Sequence, residues 1–331
     1  MELSIVIPIY NVEAYIGRCL DSVSKIFGLG LACEVIIVND GTPDGSMAIV
    51  EDYAKKYPHI KIINQDNQGL GEARNVGLRH ACGEYVYFLD SDDTIKAENL
   101  VTLFRSGYNS LPDVLVGNYS NIVEGENRHY LPAIIEEQSR VYTGEDYFNR
   151  YYVKSINILV VQGIYKKSFL LDNNLFFTKG IFFEDVNWMP KMLLHANAIY
   201  YKNICIYNYY LRQGSIIRSE YTLKKFHDIL FIAEDLLKLS SKKLRRKTQK
   251  NIGYLAIVGT SVSIGRILKD NSLTVSDRKS IDRIFGWDTC HYFYIHIYLW
   301  FYKAFPVWVQ KVLKSKYSNI SVPLKWDELN N

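Results

Sequence analysis

The chain has 331 residues, 48% of them hydrophobic and 22% charged, a balance that supports a large buried core and excludes a disordered or fibrous chain. Its five cysteines (Cys19, Cys33, Cys82, Cys205 and Cys290) are scattered without a CxxC pair, which argues against a disulfide framework or a cysteine zinc site and fits a reducing compartment. Charge is uneven: residues 1–199 hold 17 Lys/Arg against 25 Asp/Glu and residues 200–331 hold 22 against 10, so the basic end suits an anionic partner.

The first residues, MELSIVIPIYN, carry no basic leader and no long apolar stretch, so no signal peptide is expected. Residues 3–9 (LSIVIPI) are short and apolar throughout, the pattern of a strand covered on both faces. Residues 12–26 place Tyr15, Cys19, Leu20, Val23 and Ile26 on one helical face. A second strand is expected at 34–38 (EVIIV), a helix at 45–56, a third strand at 60–63 (IKII), a helix at 71–81 and a fourth strand at 85–89 (YVYFL). Such alternation predicts a doubly wound α/β sheet with its strand ends along one edge, where open sheets of this kind bind ligands.

Beyond residue 100 the pattern changes. A strand is expected at 113–119, short helices at 144–153 and 165–172, an amphipathic helix at 185–195 after FFEDV, and a Tyr-rich strand at 198–211. Helical periods occupy 222–240 and 248–269, with KKLRRK at 242–247 as a solvated connection. This divides the chain into 1–218 and a helical, basic and aromatic region 219–331. No run of 18 apolar residues suggests a spanning helix.

The unusual chemistry falls just after the predicted strand ends. YFLDSDDTI puts Asp90, Asp92 and Asp93 within four positions, a set of oxygen donors suited to a hard divalent cation, Mn²⁺ or Mg²⁺, shared with substrate phosphates. A helix over 94–104 capped by Asp92 or Asp93 is the structural alternative. In NDGTPDGS, Asp40 can accept a hydrogen bond from a base or ribose, while Asp44 reads as a helix cap. In NQGLGEARNVG, glycines including Gly69 let backbone N–H groups approach an anion and Arg74 adds a cation near a helix start.

Four segments, PIYN at 8–11, NDGTPDGS at 39–46, NQGLGEARNVGL at 67–78 and GEYVYFLDSDD at 83–93, occur in an order and spacing that resembles glycosyltransferase family 2. The resemblance implies the GT-A fold, a Rossmann-like, doubly wound mixed sheet, here with a C-terminal helical extension. It implies an inverting enzyme that moves a sugar from a nucleotide-sugar, by family habit a UDP-sugar, to a hydroxyl. By position, Pro8, Tyr10, Asn11, Asp40, Gly69, Arg74, Asp90 and Ser91 then bind the nucleotide-sugar. Asp92 ligates the metal with Asp90 beside it, leaving Asp93 as a cap at most. FFEDV resembles the family's acceptor-side acidic motif, which makes Asp185 the general base and Glu184 an orienting group, with a helix cap by Asp185 as the alternative reading. Arg212, in YYLRQGS, falls where relatives place a basic residue that reaches the diphosphate; a surface ion pair is its alternative. The QxxRW pattern of processive relatives is absent, which favours addition of one or a few sugars.

Residues 286–317 are rich in Trp, Tyr and Lys, a composition suited to a membrane–water interface and equally to a packed helical pair. The expected partners are therefore a nucleotide-sugar, a glycan or polyprenyl-diphosphate-linked acceptor and an anionic membrane surface, with no nucleic acid. The expected place is the cytoplasm, peripherally on the inner face of the cell membrane, in capsule, exopolysaccharide or O-antigen synthesis. A metal-dependent nucleotidyltransferase is the alternative activity. It expects a Gly-rich basic loop after the first strand, where this chain has IYNVEAY.

Overall fold

The computed structural model describes residues 1–123, 129–130, 139–153, 159–211, 221–240, 244–267 and 274–285. By packing, the chain divides into two units. The first comprises Met1–Tyr147, Ile158–Gly180 and Met192–Ser215; the second comprises Phe148–Asn157, Ile181–Lys191 and Ile216–Asn331. Two pieces on the N-terminal side of a cut at 218/219, Phe148–Asn157 and Ile181–Lys191, thus group with the C-terminal helices.

The first unit is a ten-stranded mixed sheet. Its spine runs β3 (Ile60–Gln65), β2 (Cys33–Asp40), β1 (Leu3–Ile9), β4 (Tyr85–Phe88), β9 (Gly163–Lys166), β6 (Val114–Val123), β10 (Ile199–Leu211) and β5 (Thr94–Ile95). β7 (His129–Tyr130) pairs with β6, and β8 (Arg140–Tyr142) with β10. The pairs β1–β2, β2–β3 and β1–β4 are parallel. Every residue of β1 is buried, as expected of a strand covered on both faces.

The connections are α1 (Glu13–Ser24), α2 (Ser46–Lys56), α3 (Leu70–His80) and α4 (Ala97–Tyr108). Leu3, Ile5, Ile7, Ile16, Leu20, Val35 and Leu100 share one core cluster. α3 lies close to the sheet: a Cβ on Gly77 would meet Val6 Cγ1 at 2.1 Å, so only glycine fits there.

Two helices expected after residue 140 differ in extent or kind. The helix expected over 165–172 begins only at Lys167, as α6 (Lys167–Asp172), because Tyr165 and Lys166 belong to β9, which pairs antiparallel with both β4 and β6. The short helix expected over 144–153 is α5 (Gly144–Tyr147) succeeded by a π-helical turn, Phe148–Tyr152. No local propensity reveals a four-residue strand whose hydrogen-bond partners lie far along the chain.

In the second unit, α8 (Leu223–Leu239) is capped by Thr222, whose side chain accepts the Lys225 N–H. It packs Phe226, Leu230 and Ala233 against Ala256 and Ile264 of α9 (Arg246–Ile267) and Ile284 of α10 (Val275–Phe285). α9 starts at Arg246, so the expected connection 242–247 gives its last two residues to the helix. α7 (Glu184–His195) begins in this unit. No helix among the described residues is long and apolar enough to cross a membrane.

Candidate active site

The C-terminal ends of β1, β2, β3 and β4 bring four loops to one edge of the sheet. After β1, whose Pro8 is paired in register with Val38, Tyr10 is half exposed and Asn11 takes a left-handed backbone with φ 54°. The Asn11 N–H donates to Thr42 Oγ1 at 2.8 Å, tying the first loop to the second. Asp44 accepts the Glu13 N–H at 2.8 Å as well as the hydroxyls of Thr42 and Ser46. Burial works against its charge, but these hydrogen bonds prevail and hold the carboxyl down at about 2.

At the end of β2, Asp40 is only 3% exposed. Its Oδ1 accepts Gln65 Nε2 at 2.6 Å and the Gln68 N–H at 2.8 Å, and its Oδ2 accepts the Gly69 N–H at 2.9 Å. The glycine-rich loop therefore already has an internal anion on two of its N–H groups. Gly69, at φ 89°, makes the turn that aims its N–H at this carboxylate and opens α3.

Arg74, on α3, is buried with its guanidinium 5.3 Å from the Phe177 ring centre. Its Nη2 donates to Asp90 Oδ1 at 2.6 Å. The cation among the clustered carboxylates is thus in part the protein's own. Asp90–Asp93 form a turn, with the Asp93 N–H donating to the Asp90 carbonyl at 3.2 Å. Ser91 and Asp92 stand at its corners; Ser91 is buried and Asp92 is half-buried.

Asp93 turns inward, at 1% exposure. It accepts the Tyr207 hydroxyl and, at 2.7 Å, the Tyr210 N–H, both on β10. It caps no helix, because α4 starts at Ala97 with Lys96 before it and without a side-chain cap; the helix expected over 94–104 is present but begins three residues later, Thr94 and Ile95 forming β5. The capping alternative for Asp92 falls for the same reason.

Two residues here carry no clear signal in the sequence. Arg18 Nη2 donates to the Asp92 carbonyl at 2.7 Å, and its guanidinium stacks 3.8 Å from the Tyr210 ring centre. An Arg one position from the apolar residue Cys19 on α1 was the available hint. Tyr210 offered none beyond its place in a Tyr-rich strand.

Burial, and next the charge of Asp92, pushes the Asp93 carboxyl up to about 8, against the hydrogen bonds from Tyr207 and Tyr210. A raised native pKa means that the folded state holds this proton more tightly than the unfolded chain. Its contribution is then fully favourable in acid and is lost as pH rises towards 8. Thermal melts without divalent metal should therefore show the wild type losing stability from pH 5 to pH 9, and Asp93→Asn, which mimics the protonated carboxyl, losing less. Parallel pH profiles for the two would refute this assignment.

The acidic loop fits a divalent cation through a reduced set of donors. Among the described residues no three His, Cys, Asp or Glu side chains are grouped to hold a metal by themselves. Asp93 is turned inward and Asp90 is shared with Arg74; Asp92, half-buried at the loop corner with Asp90 beside it, adds hard oxygen donors. That set fits Mg²⁺ or Mn²⁺, which take one or two carboxylates and fill the remaining positions with water and phosphate oxygens.

The second acidic pair lies in the second unit. Glu184 is buried and Asp185 half-buried in the first turn of α7. Asp185 Oδ1 accepts the Val186 N–H at 2.8 Å. Tyr152 is buried, and both that burial and the charge of Asp185 drive its phenol far above the ordinary range. Arg212 and residues 286–317 lie outside the described residues.

The sequence model for Glycosyl transferase family 2 matches residues 4–170, half of the chain. The chain belongs to glycosyltransferase family 2. As a family 2 glycosyltransferase it is an enzyme, and the nucleotidyltransferase alternative is set aside. It is 30% identical over 296 residues to the glycosyltransferase GlyG of Streptococcus pneumoniae serotype 4, covering 85% of this chain and 91% of GlyG. It is 32% identical over 234 residues to GlyA of the same organism, covering 69% of this chain and 33% of GlyA, so it spans about a third of that relative's length. Its fold matches that of S. aureus TarS residues 1–349 in complex with UDP-GlcNAc, with a TM-score of 0.64, 24% identity and coverage of 86% of this chain and 80% of that one. This family 2 glycosyltransferase therefore has the GT-A fold expected from its motifs.

Proposed function

We propose that this enzyme transfers a sugar from a UDP-sugar to a hydroxyl of a glycan or lipid-linked acceptor in bacterial surface-polysaccharide synthesis, with inversion at the anomeric carbon. One observation carries the reading: the acidic turn Asp90–Asp93 at the sheet edge, with Asp93 held inward and Asp92 at the corner. The UDP preference draws support from the shared fold with TarS, which was captured with UDP-GlcNAc.

In this reading Tyr10 and Asn11 line the base pocket, and Pro8 fixes the strand end that presents them. Asp40 acts through the loop 65–69 that its carboxylate clamps, and Gly69 supplies the turn. Arg74 orients Asp90, which faces the ribose, and Ser91 holds the turn. Asp92, with Asp90, holds Mn²⁺ or Mg²⁺, which when bound neutralises the departing diphosphate as a Lewis acid. Asp185 takes the proton of the attacking hydroxyl, and Glu184 orients the acceptor. Arg212 adds positive charge towards the leaving group. A single attack from the side opposite the leaving group gives inversion.

Residues 286–317 dock on an anionic membrane surface, each basic residue near the lipid contributing about 1 kcal/mol. This rests on their Trp, Tyr and Lys content and on the basic balance of residues 200–331. Flotation with anionic vesicles tests it: the full chain should float and a chain ending at 285 should not, and equal flotation would make the tail structural. The donor is tested by a screen of nucleotide-sugars with a phosphatase-coupled readout of released nucleotide. Turnover with a UDP-sugar is expected, and turnover confined to GDP- or dTDP-sugars would replace the UDP assignment.

A further inference from the structure

α8 carries two carboxylates seven residues apart, Asp228 and Asp235. Seven residues is close to two helical turns, so both lie on one face. Asp228 Oδ2 accepts the backbone N–H of Phe182 at 2.8 Å and Lys224 Nζ at 2.8 Å. Asp235 Oδ2 accepts Asn187 Nδ2 at 3.0 Å and pairs with Lys191, which itself donates to Asn187 Oδ1 at 2.8 Å. The two anchored residues, Phe182 and Asn187, flank Glu184 and Asp185 on either side.

The segment between the anchors is strained. Phe183 has φ 61°, a left-handed backbone that a bulky aromatic residue seldom adopts. Such a conformation persists only where its surroundings over-determine it. On either side of Phe183, α8 holds its neighbours Phe182 and Asn187. Asp228 is 8% exposed, Asn187 is fully buried, and Lys224 and Lys225 place their ammonium groups 5.2 and 5.5 Å from the Phe182 ring centre. Burial opposes the charge of Asp235, yet its bonds from Lys191 and Asn187 pull its carboxyl below the ordinary range.

We propose that α8 is a positioning element of the active site: Asp228 and Asp235 grip Phe182 and Asn187, force the Phe183 turn, and so fix the direction in which Asp185 points. The inference rests on the reading of Asp185 as general base. It moves α8 from a C-terminal extension into the catalytic apparatus, although neither aspartate touches substrate. A helix that merely glues the fold together would, when loosened, lower the melting temperature and leave turnover in the folded protein intact. A positioning helix lowers kcat while donor KM stays where it was.

The test uses the full chain with the donor found in the screen, measuring kcat, donor KM and melting temperature together. Asp228→Glu and Asp235→Glu keep charge and hydrogen-bonding capacity but move each carboxylate by one methylene. A displacement of about 1 Å can cost up to 100-fold in rate, so we expect kcat to fall about tenfold or more with donor KM within about twofold of wild type. Asp228→Asn, which keeps an oxygen at the original distance for the Phe182 N–H, should recover most of the loss. Asp228→Ala and Asp235→Ala should be at least as slow as the Glu variants. If they do not fold, the Glu and Asn variants decide. Turnover within about twofold of wild type in both Glu variants would overturn the proposal. Asp185→Asn is run beside them: normal turnover there removes the base assignment by itself, whereas an inactive Asp185→Asn with fully active α8 variants removes only the positioning role.

Discussion

Asp185→Asn is expected to bind the donor as the wild type does and to transfer sugar about 10²–10⁴-fold more slowly, the range that general-base catalysis contributes. The substitution keeps size and an acceptor oxygen, so the bond to the Val186 N–H at 2.8 Å survives and α7 starts where it did. What is lost is the ability to take a proton. The place suits a base. Asp185 is half-buried in the first turn of α7, which limits competing hydration of its carboxyl. The cap alternative predicts the opposite pattern, a modest loss of stability and near-normal turnover. Measuring kcat and donor affinity on one preparation separates them, and near-normal kcat would point to another base.

Asp92→Ala should weaken UDP binding in the presence of Mn²⁺ by about tenfold or more, with little effect in its absence, since the metal links this carboxylate to the phosphates. Asp93 has spent its oxygens on Tyr207 and Tyr210, and Asp90 shares one with Arg74 at 2.6 Å. Asp92 stands at the corner of the turn, its backbone held by Arg18 through the carbonyl, so removing its side chain leaves the turn in place. Isothermal titration with and without metal reads this directly. Metal-dependent binding that survives in Asp92→Ala would remove the residue from the ligand set.

Much of the first unit was legible in the sequence because its signals are local. Short apolar runs mark β1 to β4, the intervening amphipathic periods mark α1 to α3, and the polar loops between them needed only the right-handed crossover rule to converge on one edge. The residue types at that edge pointed to oxygen-donor chemistry before any contact was known.

Which carboxylate does what was settled by distance along the chain. Asp93 looked like a helix cap until Tyr207 and Tyr210, 114 and 117 residues away, took its oxygens. Asp40, the candidate acceptor for a base or ribose, also takes the N–H groups of Gln68 and Gly69, which only the fold brings to it. α8 was legible only as a helical period over 222–240; that Asp228 reaches Phe182, 46 residues back, was not. The sequence by itself determined the succession of elements and the chemistry collected at the sheet edge, because burial patterns and loop composition are written residue by residue. The tertiary structure alone decided which acids face inward, which face outward and what holds the segment around Asp185, because a side chain's role depends on the partner that claims its hydrogen bonds, and that partner is brought near only when the chain has folded.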